Sequence, residues 1–222
     1  MVYFMVVISA TGTYRFKIVL YGPSLSGKTV MLNTVQKTFF GKKSKLYSIE
    51  EPDGRTMYFD YLVIRPEKAS KIAFDIYTVP GQKRHARQRR IVLNGADCII
   101  FVADSDPQAL PENVYSFNEM KNYLGGLLNK IPLLVAVNKR DLPDALPVRV
   151  IIRALKLDRI VPIFPTIAIS GYGVKETFRE AFRLTMLAKF FPSIYEKELE
   201  RIKEEYKHLL PKELLKKALI KL

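Results

Sequence analysis

The feature that most constrains the fold is the segment Gly22–Thr29, which reads Gly-Pro-Ser-Leu-Ser-Gly-Lys-Thr and fits the pattern GxxxxGK[ST]. It follows a strand-like run, Arg15–Tyr21, and it opens a helical run, Lys28–Phe39. Glycines let backbone N–H groups close around phosphate oxygens, and the helix start adds partial positive charge. We therefore predict a nucleotide site in which Lys28 reaches the β- and γ-phosphates and the Thr29 hydroxyl binds Mg²⁺.

The remaining chain alternates short β-branched runs with helical runs. The predicted strands are Arg15–Tyr21, Tyr58–Arg65, Lys71–Thr78, Cys98–Ala103, Ile131–Asn138 and Val161–Ile167. The predicted helices are Lys28–Phe39, Lys83–Leu93, Asn113–Leu128, Pro147–Leu157 and Lys175–Phe190. Because several strands are apolar on both faces, we expect a P-loop α/β/α sandwich whose mostly parallel sheet has six strands. Ligands of such sheets bind in loops that follow strands.

The motif Asn138-Lys139-Arg140-Asp141 selects the base. It follows an apolar strand, where the Asp141 carboxylate can accept hydrogen bonds from two adjacent N–H donors on the edge of guanine. Adenine presents an acceptor there, which leaves a polar group unpaired at a cost of about 1–3 kcal/mol. Lys139 is placed to lie over the base, and Asn138 is placed to tie this loop to the phosphate-binding loop. The motif therefore favours guanine.

With these motifs in this order, the chain resembles the small GTPases of the Ras/Arf superfamily over about residues 14–191. Four strings are most similar to the MglA-like branch, the bacterial polarity and motility GTPases: Asp53–Asp60, Tyr77–Gln82, Phe101–Ser105 and Asn138–Pro143. The resemblance implies a Mg²⁺-dependent GTPase that cycles between GTP-bound and GDP-bound forms to control partner binding. In that context the loop that starts at Ala168 and Ile169 offers the Ala168 N–H to the guanine carbonyl.

The resemblance also implies the roles of the switch residues. Thr56 corresponds to the switch I threonine that touches Mg²⁺, and Gln82 to the switch II glutamine that orients the attacking water. Arg55 resembles an arginine finger supplied in cis, although a solvated loop arginine is the alternative. The predicted catalytic residues are Gln82, Arg55 and Lys28, and the predicted metal ligands are Thr29 and Thr56. The predicted nucleotide-binding residues are Gly22, Pro23, Ser24, Leu25, Ser26, Gly27, Lys28, Thr29, Val30, Thr56, Gly81, Asn138, Lys139, Asp141, Ala168 and Ile169.

One position departs from the superfamily. Switch II normally reads DxxG, whereas Thr78-Val79-Pro80-Gly81 has a hydroxyl in place of the acid. We expect weaker metal retention and a looser GDP state, with Asp75 or Asp104 as candidates to supply the missing carboxylate. The MglA-like pattern shares this threonine, so the departure favours that branch.

The basic residues concentrate around the switches. The chain has 36 Lys and Arg against 22 Asp and Glu, a net charge of +14, which favours anionic partners. Lys83–Arg90 holds five basic residues and no acid, and Lys37, Lys42, Lys43 and Lys45 precede switch I. We expect either a solvated face or a docking surface for an acidic protein, ahead of anionic lipid. Nucleic acid is disfavoured because no recognisable module accompanies the charge. The resemblance implies a Roadblock-type dimer as partner.

The ends of the chain are predicted to be extensions. Residues 1–13 are expected to form a strand-like segment, residues 14–191 the GTPase domain and residues 192–222 a helical extension that includes Lys212–Leu222. The extension is expected to pack on its own domain, with a partner as the alternative. The single cysteine, Cys98, and the lack of a long apolar run predict a cytoplasmic protein with peripheral membrane contact at most.

Two other functions stay open at this point. A GTP-binding scaffold with negligible hydrolysis is disfavoured by Gln82, and an ATP-using kinase or ATPase is disfavoured by Asn138–Asp141. Turnover measurements separate the first from a GTPase, and nucleotide competition separates the second.

Overall fold

A computed structural model of the protein describes residues 7–8, 12–39, 46–47, 59–66, 71–157 and 159–206. Its strands are β1 (Val7–Ile8), β2 (Tyr14–Tyr21), β3 (Leu46–Tyr47), β4 (Tyr61–Ile64), β5 (Ile72–Thr78), β6 (Cys98–Asp104), β7 (Leu133–Asn138) and β8 (Ile163–Pro165). Its helices are α1 (Lys28–Phe39), α2 (Ala86–Leu93), α3 (Leu110–Leu124), α4 (Val148–Leu155), α5 (Val174–Phe190) and α6 (Pro192–Tyr206).

All the strands belong to one sheet, in the order β3-β4-β5-β2-β6-β7-β8 with β1 paired to β2. The strands from β5 to β8 in this order pair in parallel, while β3 and β4 form an antiparallel edge. Val7 lies opposite Arg15, so β1 adds an antiparallel strand beside the start of β2. The six predicted strands and the mostly parallel sheet are confirmed. The two-residue β3 is too short to leave a pattern in the sequence.

Apolar cores cover both faces of the sheet. In β6, Ile99 and Phe101 pack with buried residues of α2, α3 and α4 on one face. Ile100 and Val102 of the same strand pack with α1, α5 and α6 on the other. This is the reason why β6 is apolar from Cys98 to Ala103, since helices cover both faces of the sheet. The predicted α/β/α sandwich is confirmed.

Helix ends differ from the predicted bounds where turns intervene. The predicted helix Lys83–Leu93 starts with a 3-10 turn at Lys83–His85, and α2 follows it. The predicted helix Asn113–Leu128 starts three residues earlier as α3, at Leu110, and ends before Gly125, whose φ of +50° stops the helix. These shifts leave the order of elements unchanged.

The first extension helix, α6, packs back on the domain. Ile202 is 1% exposed and belongs to the same core as α1 and α5. The Glu198 carboxylate accepts hydrogen bonds from Arg183 of α5 and from Arg201 of α6. The prediction that the extension packs on its own domain therefore holds for α6, while Lys212–Leu222 lies outside the described residues. Among the described helices, none is long and apolar enough to cross a membrane.

We expect Ile202→Ala to lower the free energy of unfolding by about 2–5 kcal/mol, because it leaves a cavity between α6 and the core. Urea unfolding followed by circular dichroism measures the change. Ile194→Ala on the same helix is the matched control, because Ile194 is 49% exposed and its truncation should change stability by less than about 0.5 kcal/mol. Equal effects of the two substitutions would contradict a docked α6.

Candidate nucleotide-binding site

The loop Gly22–Thr29 lies between β2 and α1, at the carboxyl edge of the parallel strands. Gly22 has φ +152° and Gly27 has φ +94°, conformations that other residues rarely adopt. A Cβ on Gly22 would lie 2.2 Å from the Val102 carbonyl oxygen, and one on Gly27 would lie 2.2 Å from Asn138 Nδ2. The loop approaches β6 and β7 so closely that neither position leaves room for a side chain, so both need glycine.

The Lys28 side chain turns back under the loop. Its Nζ donates hydrogen bonds to the carbonyl oxygens of Gly22, at 3.0 Å, and Pro23, at 2.6 Å, and the residue is only 6% exposed. Burial lowers the pKa of Lys28 to about 7, and the nearby Asp60 charge opposes that shift. Below pH 7 the protein bears the full cost of a buried ammonium group, and this cost declines as the pH rises. An anion bound in the loop would offset it.

A buried carboxylate connects the loop to switch II. Asp60 precedes β4, and its Oδ2 accepts hydrogen bonds from Thr29 Oγ1 at 2.6 Å and from Thr78 Oγ1 at 2.7 Å. The Asp60 N–H donates to Thr78 Oγ1 at 2.9 Å, and the Thr78 N–H donates to the Asp60 carbonyl oxygen at 2.9 Å. The Asp60 side chain therefore lies beside Thr29, the predicted metal ligand, and beside Thr78, where the superfamily has its acid.

The two acids that the sequence offered as replacements, Asp75 and Asp104, are each paired with a basic side chain. Asp75 forms an ion pair with Arg15 and accepts a hydrogen bond from its Nε at 2.8 Å. Asp104 pairs with Lys139, with 2.7 Å between Nζ and Oδ2. Each carboxylate already faces a cation of its own. Asp60 instead lies beside Thr78 through antiparallel pairing of β4 with β5, and the sequence carries it only as the last residue of the string Asp53–Asp60.

Asn138 connects three loops. Its Nδ2 donates to the Ser26 carbonyl oxygen at 2.8 Å, the tie to the phosphate-binding loop that the sequence predicts. Its Oδ1 accepts from the Ala168 N–H at 2.9 Å and from Thr166 Oγ1 at 3.2 Å. The Ala168 N–H, predicted to face the guanine carbonyl, thus has Asn138 as its partner in this structure. The carboxylate of Asp141 belongs to an exposed residue of the same loop.

Switch II lies directly against the phosphate-binding loop. A Cβ on Gly81 would be 2.3 Å from the backbone nitrogen of Ser24, so only glycine fits there. Gln82 follows at the N-cap position of the 3-10 turn before α2, and its side chain makes no capping hydrogen bond to that turn. The Ser26 hydroxyl, buried in the loop, has no hydrogen-bond partner in the described part of the chain. Arg55 and Thr56, the predicted finger and metal ligand, lie outside the described residues.

In the basic segment Lys83–Arg90, the 3-10 turn and α2 expose some of the arginine side chains and bury another. Arg84, Arg87 and Arg90 are exposed. Arg89 is only 2% exposed and pairs with Glu119 of α3 at 2.7 Å, so assigning it to a docking surface was wrong. Its spacing from the buried Val92 and Leu93 is the sequence signal that places it on the inner face. Of the other predicted basic residues, Lys37 is exposed, and Lys42, Lys43 and Lys45 lie outside the described residues.

The side-chain oxygens in this site suit a small hard cation that phosphate oxygens of the nucleotide would also coordinate. The side-chain oxygens of Thr29 and Asp60 lie together, and the negative charge of Asp60 acts on the amino group of Lys28. Among the described residues, no three His, Cys, Asp or Glu side chains converge as a metal cage. Mg²⁺ commonly binds through one or two protein oxygens plus substrate phosphates, so these residues fit it.

Comparisons with known proteins agree with this geometry. Residues 4–184 match the ADP-ribosylation factor family. The chain is 38% identical to the mutual gliding-motility protein MglA of Myxococcus xanthus over 176 residues, which are 77% of this chain and 90% of that protein. It is 32% identical to translation initiation factor IF-2 of Bradyrhizobium diazoefficiens over 90 residues, 40% of this chain and 9% of that factor. The second similarity covers a small part of a much longer protein.

We expect Gly27→Ala to lower the free energy of unfolding by about 1–3 kcal/mol, because alanine is strained at this φ and its Cβ displaces the Asn138 side chain. Urea unfolding of the nucleotide-free protein measures the loss. Gly126→Ala is the matched control, because no atom lies within 4 Å of its added Cβ. The control should leave stability unchanged or raise it slightly.

Proposed function

The chain belongs to the ADP-ribosylation factor family of small GTPases, and from that premise we propose how its residues bind and turn over GTP. It is a GTP-hydrolysing molecular switch of the MglA-like type. The single observation that carries the residue assignments is the hydrogen bond from Asn138 to the Ser26 carbonyl oxygen. Through it, the motif that selects the base and the loop that cradles the phosphates form one rigid site. GTP bound there spans both motifs.

The binding step uses the buried lysine and the backbone of the loop. The N–H groups of Gly22–Thr29 close around the phosphates, and Lys28 exchanges its two carbonyl partners for phosphate oxygens. The Ser26 hydroxyl is a further donor in the same loop. Asp141 accepts two hydrogen bonds from guanine, while Lys139, oriented by Asp104, lies along the base. Binding an anion raises the lowered pKa of Lys28 toward its ordinary value.

We assign the metal ligands to Thr29 and Asp60, with Thr56 joining them from switch I. When Mg²⁺ is bound, it neutralises charge on the β- and γ-phosphates. Asp60 supplies the carboxylate that Thr78 does not, and the Thr78 hydroxyl holds Asp60 in place. Position 78 can therefore be a threonine, because the carboxylate comes from Asp60, directly before the neighbouring strand β4. The expected loss of metal affinity is correspondingly smaller.

The hydrolysis step depends on switch II and on Arg55. Gln82 orients the attacking water, and the Gly81 N–H meets the γ-phosphate from the position it holds beside Ser24. Arg55 approaches from switch I and neutralises charge on the transferring phosphoryl. Loss of the γ-phosphate releases these contacts, and switch I and switch II then change conformation. This is the basis of two states with different partner affinity.

The partner is a protein that docks at the switches. Arg84, Arg87 and Arg90 present positive charge on α2 and the turn before it. Tyr47, on the edge strand β3, and Phe59, just before β4, also expose their rings to solvent. Exposed arginines together with exposed aromatic rings favour an acidic protein partner over a lipid surface. By analogy with the MglA-like branch we propose a Roadblock-type dimer, with residues 14–191 as the GTPase domain between the two extensions.

Single-turnover hydrolysis of GTP tests the function directly. We expect the protein to hydrolyse bound GTP in the presence of Mg²⁺ and Gln82→Ala to slow this by about 10²-fold or more, because the water is no longer oriented. The same rates for both proteins would remove the catalytic role of Gln82. Competition with GDP identifies the base: ATP displacing bound GDP as well as GTP does would overturn the guanine assignment.

We expect Asp60→Asn to abolish most of the Mg²⁺ dependence of GDP release. In the unaltered protein, EDTA should accelerate dissociation of a fluorescent GDP analogue, whereas in the variant dissociation should be fast with or without EDTA. Asp75→Asn is the matched control, since that carboxylate pairs with Arg15 and should leave the effect of EDTA unchanged. If Asp75→Asn lost the effect and Asp60→Asn kept it, the metal assignment would be refuted.

A further inference from the structure

A hydrogen-bonded cluster beneath switch II is not used by the mechanism above. We call it the Glu119 cluster; it contains Tyr21, Arg89, Glu119 and Tyr123. Arg89 Nε and Nη2 each donate to one oxygen of the Glu119 carboxylate at 2.7 Å. The hydroxyl of Tyr21 donates to the same carboxylate at 2.5 Å, and that of Tyr123 at 3.3 Å. Arg89 is 2% exposed, so this is a buried two-pronged ion pair.

The remaining nitrogen of the guanidinium faces the catalytic turn. Arg89 Nη1 donates to the carbonyl oxygens of Pro80, at 3.2 Å, and of Gln82. Glu119 therefore fixes one edge of the Arg89 plane, and the other edge holds the backbone on both sides of Gly81. A guanidinium is planar, so holding one edge sets the direction of the other.

The cluster also reaches the base of the phosphate-binding loop. Tyr21 is the last residue of β2 and directly precedes Gly22. Burial raises the pKa of Tyr21, and the hydrogen bond to Glu119 adds to the shift, so the phenol stays protonated as a donor. Burial alone would raise the pKa of Glu119, but hydrogen bonds from Arg89 and Tyr21 outweigh it and keep the pKa below its usual value. The carboxylate stays charged and links β2, α2 and α3.

We propose that Arg89, oriented by Glu119, is a positioning residue that sets the backbone of Gln82 against the phosphate-binding loop. This inference rests on the proposed role of Gln82 in orienting the attacking water. The Gln82 carbonyl oxygen accepts the hydrogen bond of the 3-10 turn from the His85 N–H at 3.1 Å. The hydrogen bonds from Arg89 to the carbonyl oxygens of Pro80 and Gln82 additionally tie the backbone on both sides of Gly81 to the buried Glu119. A misplacement of about 1 Å at such a residue costs about 10²-fold in rate.

The test is Arg89→Lys. Lysine keeps the positive charge, but its single nitrogen cannot hold the carboxylate and both carbonyls at once. We expect single-turnover hydrolysis at saturating GTP to slow by about tenfold or more, while the Kd for GDP changes by less than about threefold. Arg183→Lys is the matched control, because Arg183 forms the same two-pronged pair with Glu180 on the distant α5 and should keep the unaltered rate.

A double-mutant cycle with Gln82→Ala distinguishes positioning from general stability. If Arg89 acts through Gln82, Arg89→Lys should slow hydrolysis little further in the Gln82→Ala background. Glu119→Gln, which keeps the shape but weakens the hold on Arg89, should give a smaller slowing and carries the test if Arg89→Lys does not fold. Unaltered rates in both variants, or full additivity with Gln82→Ala, would overturn the inference. An unaltered protein that does not hydrolyse GTP would instead refute the proposed function.

Discussion

The central strands of this sheet have no face toward solvent, and the rest of the structure depends on that constraint. Every residue of β6 and β7 is buried, because helices cover the sheet on both sides. Polar groups are therefore confined to the ends of the strands, where the chain leaves the core. The phosphate-binding loop, switch II and the Asn138 loop all begin at this one edge. Their side chains meet there although they are far apart in the chain.

Charge at that edge is balanced by pairing. The Lys28 ammonium and the Asp60 carboxylate are both buried, and two threonine hydroxyls donate to the carboxylate. Asp104 is matched by Lys139, and Glu119 by Arg89. Burying an unpaired charge is costly, so each group has its partner in position before any ligand arrives. Such preorganisation suits a site that must stabilise phosphate charge.

Local patterns predicted the elements well and the polar partners poorly. The phosphate-binding loop follows from a strand, two glycines and a helix that are contiguous in sequence, and α1 has the predicted bounds Lys28–Phe39. The surroundings of Asp60 and Arg89 were not predicted, because Thr78 and Glu119, their partners, lie 18 and 30 residues away in the chain. The residues that flank Asp60 and Arg89 in the sequence do not predict their hydrogen-bond partners. Strand pairing and helix packing decide that.

The sequence by itself determined the fold class, the nucleotide motifs and the family resemblance, because these depend on periodicity and on residues that are neighbours in the chain. Only the tertiary structure decided which acid lies beside Thr78, and which arginine of the segment Lys83–Arg90 is buried. Antiparallel pairing of β4 with β5 brought Asp60 beside Thr78, and the packing of α1 brought Thr29 to the same carboxylate. The physical reason is that electrostatic pairing acts over a few ångströms of space, whatever the separation along the chain.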